Sequence, residues 1–174
     1  VIGHVGRFDA QKNHTFLLDI FSECVNIVPN ARLLLVGDGE GRTQIQEKAK
    51  SLGLEEKVIF TGVRNDVADL LQAMDVFVFP SLYEGVPVTM IEAQASGLPC
   101  VISDGVPKDC VITSGLVTSM KLSDRPCDWA KHIAAQLNRK RENHLEEIQA
   151  AGYDIVTAAK ELENFYLKKY GEES

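Results

Sequence analysis

The sequence is short of positive charge: 18 lysines and arginines stand against 25 aspartates and glutamates in 174 residues, a net charge of −7. That balance excludes a whole-surface partnership with nucleic acid, and leaves room only for a small basic pocket that takes a phosphate. Long apolar runs are lacking as well. No secretory leader and no apolar stretch of about 18 residues is present, so no intrinsic membrane span is expected. The expected location is cytoplasmic, with the inner face of a membrane open to a longer parent chain. Cys24, Cys100, Cys110 and Cys127 form no Cys-x-x-Cys pair, so free buried thiols of a reducing compartment are expected rather than disulfides or metal ligands. His4, His14, His132 and His144 make no ligand cluster with them or with one another, and neither a metal nor a cofactor is expected. Also missing are a phosphate loop of the Walker type, a nucleophile elbow and an Asp-x-Asp pair.

What is present is the composition of one globular domain, 45% hydrophobic and 25% charged, long enough to bury about 70% of its unfolded surface. Apolar runs alternate with helical periodicity. Strands are expected at Val1–Val5, Arg32–Val36, Val58–Phe60, Val76–Phe79 and Cys100–Ile102, with a short one at Leu116–Val117. Helices are expected near Asn13–Val28, Arg42–Leu52, Asp66–Gln72, Pro87–Ser96, Asp128–Asn138, Arg141–Ala150 and Asp154–Tyr170. Such alternation predicts an α/β domain spanning 1–174, a parallel sheet with helices on both faces and a helical C-terminal end. The chain opens inside an apolar strand without an initiator Met, and a longer parent protein is expected.

The densest stretch runs from Pro80 to Ala93, where Glu84 and Glu92 flank a junction from apolar strand to helix. Gly85 is expected to permit a sharp turn and Pro87 to occupy the first helical turn, where no intrahelical N–H bond is lost. The N–H groups of a helix start favour phosphate, and Glu92 would sit about 8 Å further along the helix axis. One carboxylate could then meet a group beyond the phosphate and the other a hydroxylated ring behind it, as a nucleotide sugar requires. Each also has a plainer reading: Glu84 as a stabiliser of the helix N-terminus, Glu92 as a residue facing water.

Three further loops follow strands. In Gly3–Asn13, Gly6 allows close backbone approach, and Arg7 and Lys12 could converge on a pyrophosphate, or be two solvated cations. Gly37–Gly41 is rich in glycine, and at Gly37 a donor could lie against bare backbone, although the next strand ends in Thr61-Gly62 without the acid that a dinucleotide ribose needs. In the third loop a planar base could lie on backbone near Val63 with Arg64 stacked on it, or Arg64 could be a solvated charge. A phospho-receiver is disfavoured, because no acidic pair follows the first strand.

Together, Val5-Gly6-Arg7 with Lys12-Asn13, Leu35 to Gly39, Phe60-Thr61-Gly62, Phe79 to Gly85, Ile91-Glu92-Ala93 and Ser96 to Pro99 carry a resemblance. The chain resembles the C-terminal, donor-binding domain of a retaining glycosyltransferase of family 4, with Rossmann-like three-layer architecture as one half of a GT-B fold. The nearest likeness is to bacterial enzymes of capsular or extracellular polysaccharide. The resemblance implies that Arg7 and Lys12 bind the donor diphosphate, that Glu84 contacts the transferred sugar, and that Glu92 holds the ribose. It also implies that the backbone of Val86, Pro87, Val88 and Thr89 meets phosphate and sugar oxygens, and that Val63 and Arg64 receive the base. Its partners would be a nucleotide-diphosphate sugar, UDP-linked above others, and a glycan or lipid-linked sugar acceptor held by an N-terminal domain that is absent. No metal is implied, and this part alone would not turn over. Rivals are half of a GT-B nucleotide-sugar epimerase or hydrolase, and a non-catalytic nucleotide-binding module. On this reading, loss of Arg7 or Lys12 should weaken nucleotide binding but hardly move stability, since solvated loop cations contribute little. The segment Gly105–Lys121 is left without a role.

Overall fold

In a computed structural model, which describes residues 1–113 and 115–172, six parallel strands lie between two layers of helix. Ser114, Glu173 and Ser174, included in the expected 1–174 domain, lie outside the described residues. The strands are β1 (Ile2–Val5), β2 (Leu33–Val36), β3 (Val58–Gly62), β4 (Val76–Phe79), β5 (Cys100–Ser103) and β6 (Val117–Met120). The helices are α1 (His14–Ile27), α2 (Arg42–Ser51), α3 (Val67–Gln72), α4 (Val88–Ala95), α5 (Pro126–Gln136), α6 (Leu145–Ala150) and α7 (Ile155–Glu172). The sheet order is β3-β2-β1-β4-β5-β6. Ile2 of the central strand β1 therefore pairs with Leu33 on one side and Val76 on the other.

Side-chain alternation along each strand feeds two cores. Leu33, Leu35, Val76 and Val78 face α1, α2 and α5, with Trp129 of α5 fully buried there. Leu34, Val36, Phe77 and Phe79 face α3 and α4, against Leu71, Met90 and Ala93. With both faces covered, the strands read as unbroken apolar runs. Because the chain leaves β1 towards β2 but returns to β4, the carboxyl ends of β1 and β4 flank a topological switch point, where open α/β sheets bind ligands.

Several boundaries differ from expectation for local reasons. Asn13 holds the left-handed conformation (φ 55°), so α1 begins at His14. Pro87 is extended (φ −77°, ψ 92°) and caps α4 rather than standing in its first turn; its carbonyl accepts the N–H groups of Met90 and Ile91. The last strand is longer than the expected Leu116–Val117, because it forms the half-exposed sheet edge where Thr118 and Ser119 are tolerated.

Arg141 does not open a helix. Its guanidinium donates to the carbonyls of Leu71 (2.7 Å), Gln72 (3.2 Å), Met74 and Ser96 (3.1 Å) and to Gln72 Oε1 (2.9 Å), capping the C-terminal ends of α3 and α4. Arg141→Ala is expected to lower the unfolding free energy by about 2 kcal/mol in urea titrations, as for hydrogen bonds to a charged group. An unchanged midpoint would show that water replaces the guanidinium at no cost.

Helix α7 starts at an Asp154 cap, whose carboxylate accepts the Thr157 N–H (2.9 Å) and hydroxyl (2.7 Å); these bonds hold the Asp154 pKa below its ordinary value. None of its apolar side chains from Ile155 to Tyr170 is buried. No described helix is long and apolar enough to cross a membrane.

Candidate donor site at the switch point

The loop after β1 and the loop after β4 are tied together across the switch point. Leu82 N–H donates to the Gln11 carbonyl (2.8 Å) and Asn13 Nδ2 to the Pro80 carbonyl (3.1 Å). Gln11 Nε2 donates to the Tyr83 carbonyl (3.0 Å) and to Glu84 Oε2 (3.2 Å), while Lys12 Nζ meets Glu84 Oε1 at 2.6 Å. The Lys12 ammonium also lies 4.8 Å from the centroid of the Phe79 ring. This ion pair is nearly withdrawn from water, with side-chain exposures of 17% for Lys12 and 6% for Glu84. Lys12 is therefore not a solvated loop cation. Arg7, in the same loop, is exposed and has no ion pair or hydrogen bond to its guanidinium among the described residues.

The Lys12 stem crosses Gly6, where an added Cβ would lie 3.1 Å from Lys12 Cγ. Gly37 is fixed by packing: at φ +133° an added Cβ would fall 2.1 Å from the Gly6 carbonyl oxygen, and its N–H bonds Gly62 O. Its bareness is thus explained by the approach of two loops, without a ligand. Gly85 lies at a bend, as expected, though its φ is not positive. An added Cβ there would meet nothing, and the backbone beside Glu84 opens onto free space. The N–H groups of Val86, Val88 and Thr89 bond no acceptor among the described residues, leaving an anion-seeking helix start. Glu92 follows about 6 Å along α4 from Val88. It is exposed and without a partner among the described residues, and partial burial of its carboxyl raises its pKa.

Val63 and Arg64 directly follow β3, two strands away from the β1 side of the switch point. Val63 is 77% exposed, and Arg64 forms a double hydrogen bond with Asp66 (2.8 and 2.5 Å). The double bond to Asp66 lies in the guanidinium plane and leaves its face available for the stacking expected of Arg64.

Sequence reasoning missed two glutamines. Gln11 braces Glu84, as above. Gln94, buried on α4, donates to the Cys110 (2.8 Å) and Met90 (3.3 Å) carbonyls. Its Oε1 accepts the N–H groups of Ile112 (2.9 Å) and Thr113 (3.1 Å) and the Thr113 hydroxyl (3.1 Å). It fastens part of the unassigned 105–121 segment to the helix bearing Glu92, and Cys110 Sγ in turn approaches the Gly85 carbonyl (3.7 Å). The available signal was a polar residue in the buried row of Met90, Ile91 and Ala93.

Beneath the site lie two buried histidines. His4 Nδ1 sits 2.9 Å from the Val78 carbonyl, and its ring packs edge-on against His14 with centroids 4.7 Å apart. Burial depresses both pKa values, that of His14 to about 4, with Lys12 a secondary cause; for His4 the neighbouring His14 adds to the effect of burial. The unfolded chain binds a proton on each near pH 6.5 while the folded chain does not. Their stability contribution is therefore complete above that pH and is lost as the solution is acidified towards pH 4. His14 alone should remove about 2 kcal/mol between about pH 7.5 and 5. Urea titrations at both pH values test this against His14→Phe, which should reduce the loss; equal losses would remove His14 as its source.

A model of the family described as glycosyl transferases group 1 matches residues 1–139. EpsF of Bacillus subtilis (strain 168) is 41% identical over 169 residues, covering 95% of this chain and 44% of that protein. An Escherichia coli UDP-Gal:alpha-D-GlcNAc-diphosphoundecaprenol alpha-1,3-galactosyltransferase is 35% identical over 111 residues, covering 62% of this chain and 29% of that enzyme. Among solved structures, Anabaena Alr3699/HepE in complex with UDP superposes with a TM-score of 0.79 at 23% identity, over 96% of this chain and 48% of that one. The chain thus spans less than half the length of these proteins, and its architecture is that of one Rossmann-like half of a GT-B fold.

Proposed function

The chain belongs to the glycosyl transferases group 1 family, and on that premise we propose that it is the donor-binding half of a retaining glycosyltransferase. The donor is a nucleotide-diphosphate sugar, UDP-linked above others; a hexosyl group passes to a glycan or lipid-linked sugar in polysaccharide synthesis, with an N-terminal domain completing the cleft. The observation that carries this reading is the Lys12–Glu84 pair, held at the switch point beside the unbonded N–H groups that open α4. One Lys12 proton is committed to Glu84, and the remaining two can reach phosphate oxygens together with Arg7 and the amides of Val86, Val88 and Thr89. When the bond from the sugar's anomeric carbon to the diphosphate breaks, negative charge collects on the leaving group, where these donors stabilise it. Glu84, with both oxygens already held by Lys12 and Gln11, borders the transferred sugar. Glu92 takes the ribose hydroxyls, and Val63 and Arg64 take the base. The E. coli relative, named for a UDP-Gal donor, and the UDP complex of the Anabaena protein support the choice of UDP.

Calorimetric titration of the chain with UDP, GDP and ADP tests the proposal. UDP should bind with a dissociation constant between tens of micromolar and millimolar, about −6 to −4 kcal/mol. No heat from any nucleotide, with the protein folded, would sink it. Because the phosphate charge is met by side chains and amides, a chelator should leave the UDP affinity unchanged. A tenfold loss restored by Mg²⁺ or Mn²⁺ would show instead that a cation is part of the site.

A further inference from the structure

We propose that the cleft between the β1–α1 and β2–α2 loops is an acceptor subsite for a neutral sugar ring, with His14 recognising one of its hydroxyls. The assignment to the acceptor rests on the reading above. The cleft has a volume of about 760 Å³, is walled by Arg7, Asp9, Glu40, Gln44 and Leu82, and has His14 in its lining. That volume suits a small ligand, and the cleft does not include Glu92, Val63 or Arg64.

The independent observation is His14 itself. It is 2% exposed, and neither ring nitrogen has a partner among the described residues. Phe8 stacks on its ring (centroids 4.2 Å apart, 15° between planes), which fixes the orientation. A buried polar group without a partner is costly, so such a group in a native fold calls for one. Both nitrogens are closed from water here, so a hydroxyl arriving through the cleft that His14 lines would displace the side chains covering them.

The wall selects the chemistry. Arg7 is unpaired among the described residues and is opposed by Asp9 and by Glu40, which is exposed and also without an ion pair among them. With Arg7 given to the donor diphosphate, the carboxylates of Asp9 and Glu40 disfavour a second anion, while donors and acceptors spaced around one cavity suit a ring of hydroxyls. With its pKa held near 4 by burial, His14 is a neutral imidazole at physiological pH, one nitrogen donating and the other accepting. A hydroxyl also does both. Arg7 and Leu82 belong to the two loops that hold the Lys12–Glu84 pair, so a ring in the cleft lies next to the place proposed for the transferred sugar.

The experiment follows the ring nitrogens of His14 in the ¹⁵N-histidine-labelled chain during titration with three methyl α-glycosides, of glucose, galactose and N-acetylglucosamine, with glycerol as control. At least one glycoside should move the His14 nitrogens saturably, glycerol should not, and saturating UDP should leave that response in place. His14→Phe preserves the stack and should weaken the glycoside by roughly three- to tenfold, as for one neutral hydrogen bond, read by saturation transfer to the sugar. Gln44→Trp fills the exposed rim without touching the core and should abolish the response, its fold checked by thermal midpoint. Silence from all three sugars, an equal effect of glycerol, or a response surviving in Gln44→Trp overturns the subsite. Movement of His14 by UDP-glucose with exclusion of the glycoside overturns the acceptor assignment. If the sugars are silent while UDP still gives heat, only this inference fails; if the sugars bind while no nucleotide does, the donor reading fails instead.

Discussion

Replacing Lys12 with alanine is expected to lower the unfolding free energy by about 3 kcal/mol, and to weaken UDP by a further 1.5–3 kcal/mol or so. The stability term comes from Glu84. Its carboxylate is 6% exposed and, among the described residues, would keep only the Gln11 amide as partner once the ammonium at 2.6 Å is gone. Leaving one member of a nearly buried ion pair uncompensated costs far more than deleting a surface charge. Arg7→Ala provides the contrast: exposed and unpaired among the described residues, it should weaken UDP by a similar amount while stability stays within about 0.5 kcal/mol. The sequence-based expectation that neither cation matters for folding is therefore kept for Arg7 and revised for Lys12. Pairing Lys12→Met with Glu84→Leu should recover most of the lost stability, because replacing both partners by apolar groups removes the orphaned charge. Urea titrations of the four proteins read the stability term and UDP calorimetry the binding term. If Lys12→Ala is as stable as Arg7→Ala, Glu84 finds water easily and the pair does not hold the two loops.

Gln94→Met should cost more, about 4 kcal/mol. The substitution keeps the volume of a side chain that is fully buried, so little of the loss is cavity. It leaves the Ile112 and Thr113 N–H groups, the Thr113 hydroxyl and the Cys110 carbonyl without the partner they share. Each orphaned buried group costs about 1–3 kcal/mol. A loss below about 1 kcal/mol would mean that the segment simply peels away to water. The two outcomes are separable by hydrogen exchange, which in the second case would rise at Ile112 and Thr113 without global unfolding.

The αβ alternation was legible because strands covered on both faces are continuous apolar runs, and Val76-Phe77-Val78-Phe79 shows this without ambiguity. Strand β6 was underread for the converse reason: at the sheet edge, Val117-Thr118-Ser119-Met120 need be only half apolar. Of the site, Gly6, Arg7, Lys12, Glu84 and the start of α4 could be grouped because all follow strands at one edge of the sheet. What could not be read was which of them touch. The Lys12–Glu84 contact joins residues 72 apart, and no periodicity encodes it. Gln11, Gln94 and Arg141 were opaque because each acts on backbone groups elsewhere in the chain, whose orphan status exists only once the fold is formed. The bend at Gly85 was legible, but not that its bareness leaves open space beside Glu84.

The sheet order has a temporal consequence. Strand β1 is the middle of the sheet, yet one of its two neighbours, β4, begins only at Val76. During synthesis the chain can close β1 against β2 early, while the other edge of β1 stays open until β4 has emerged. At roughly 5–20 residues per second, the interval between Lys12 and Glu84 lasts about 4–14 s. Throughout it, the carbonyls and amides of β1 that will face β4 form a temporary sticky margin, and His4 cannot yet reach Val78. The Gly6–Lys12 loop is made long before its counterpart, and the two sides of the switch point are joined only when β4 slots between finished and unfinished halves of the sheet.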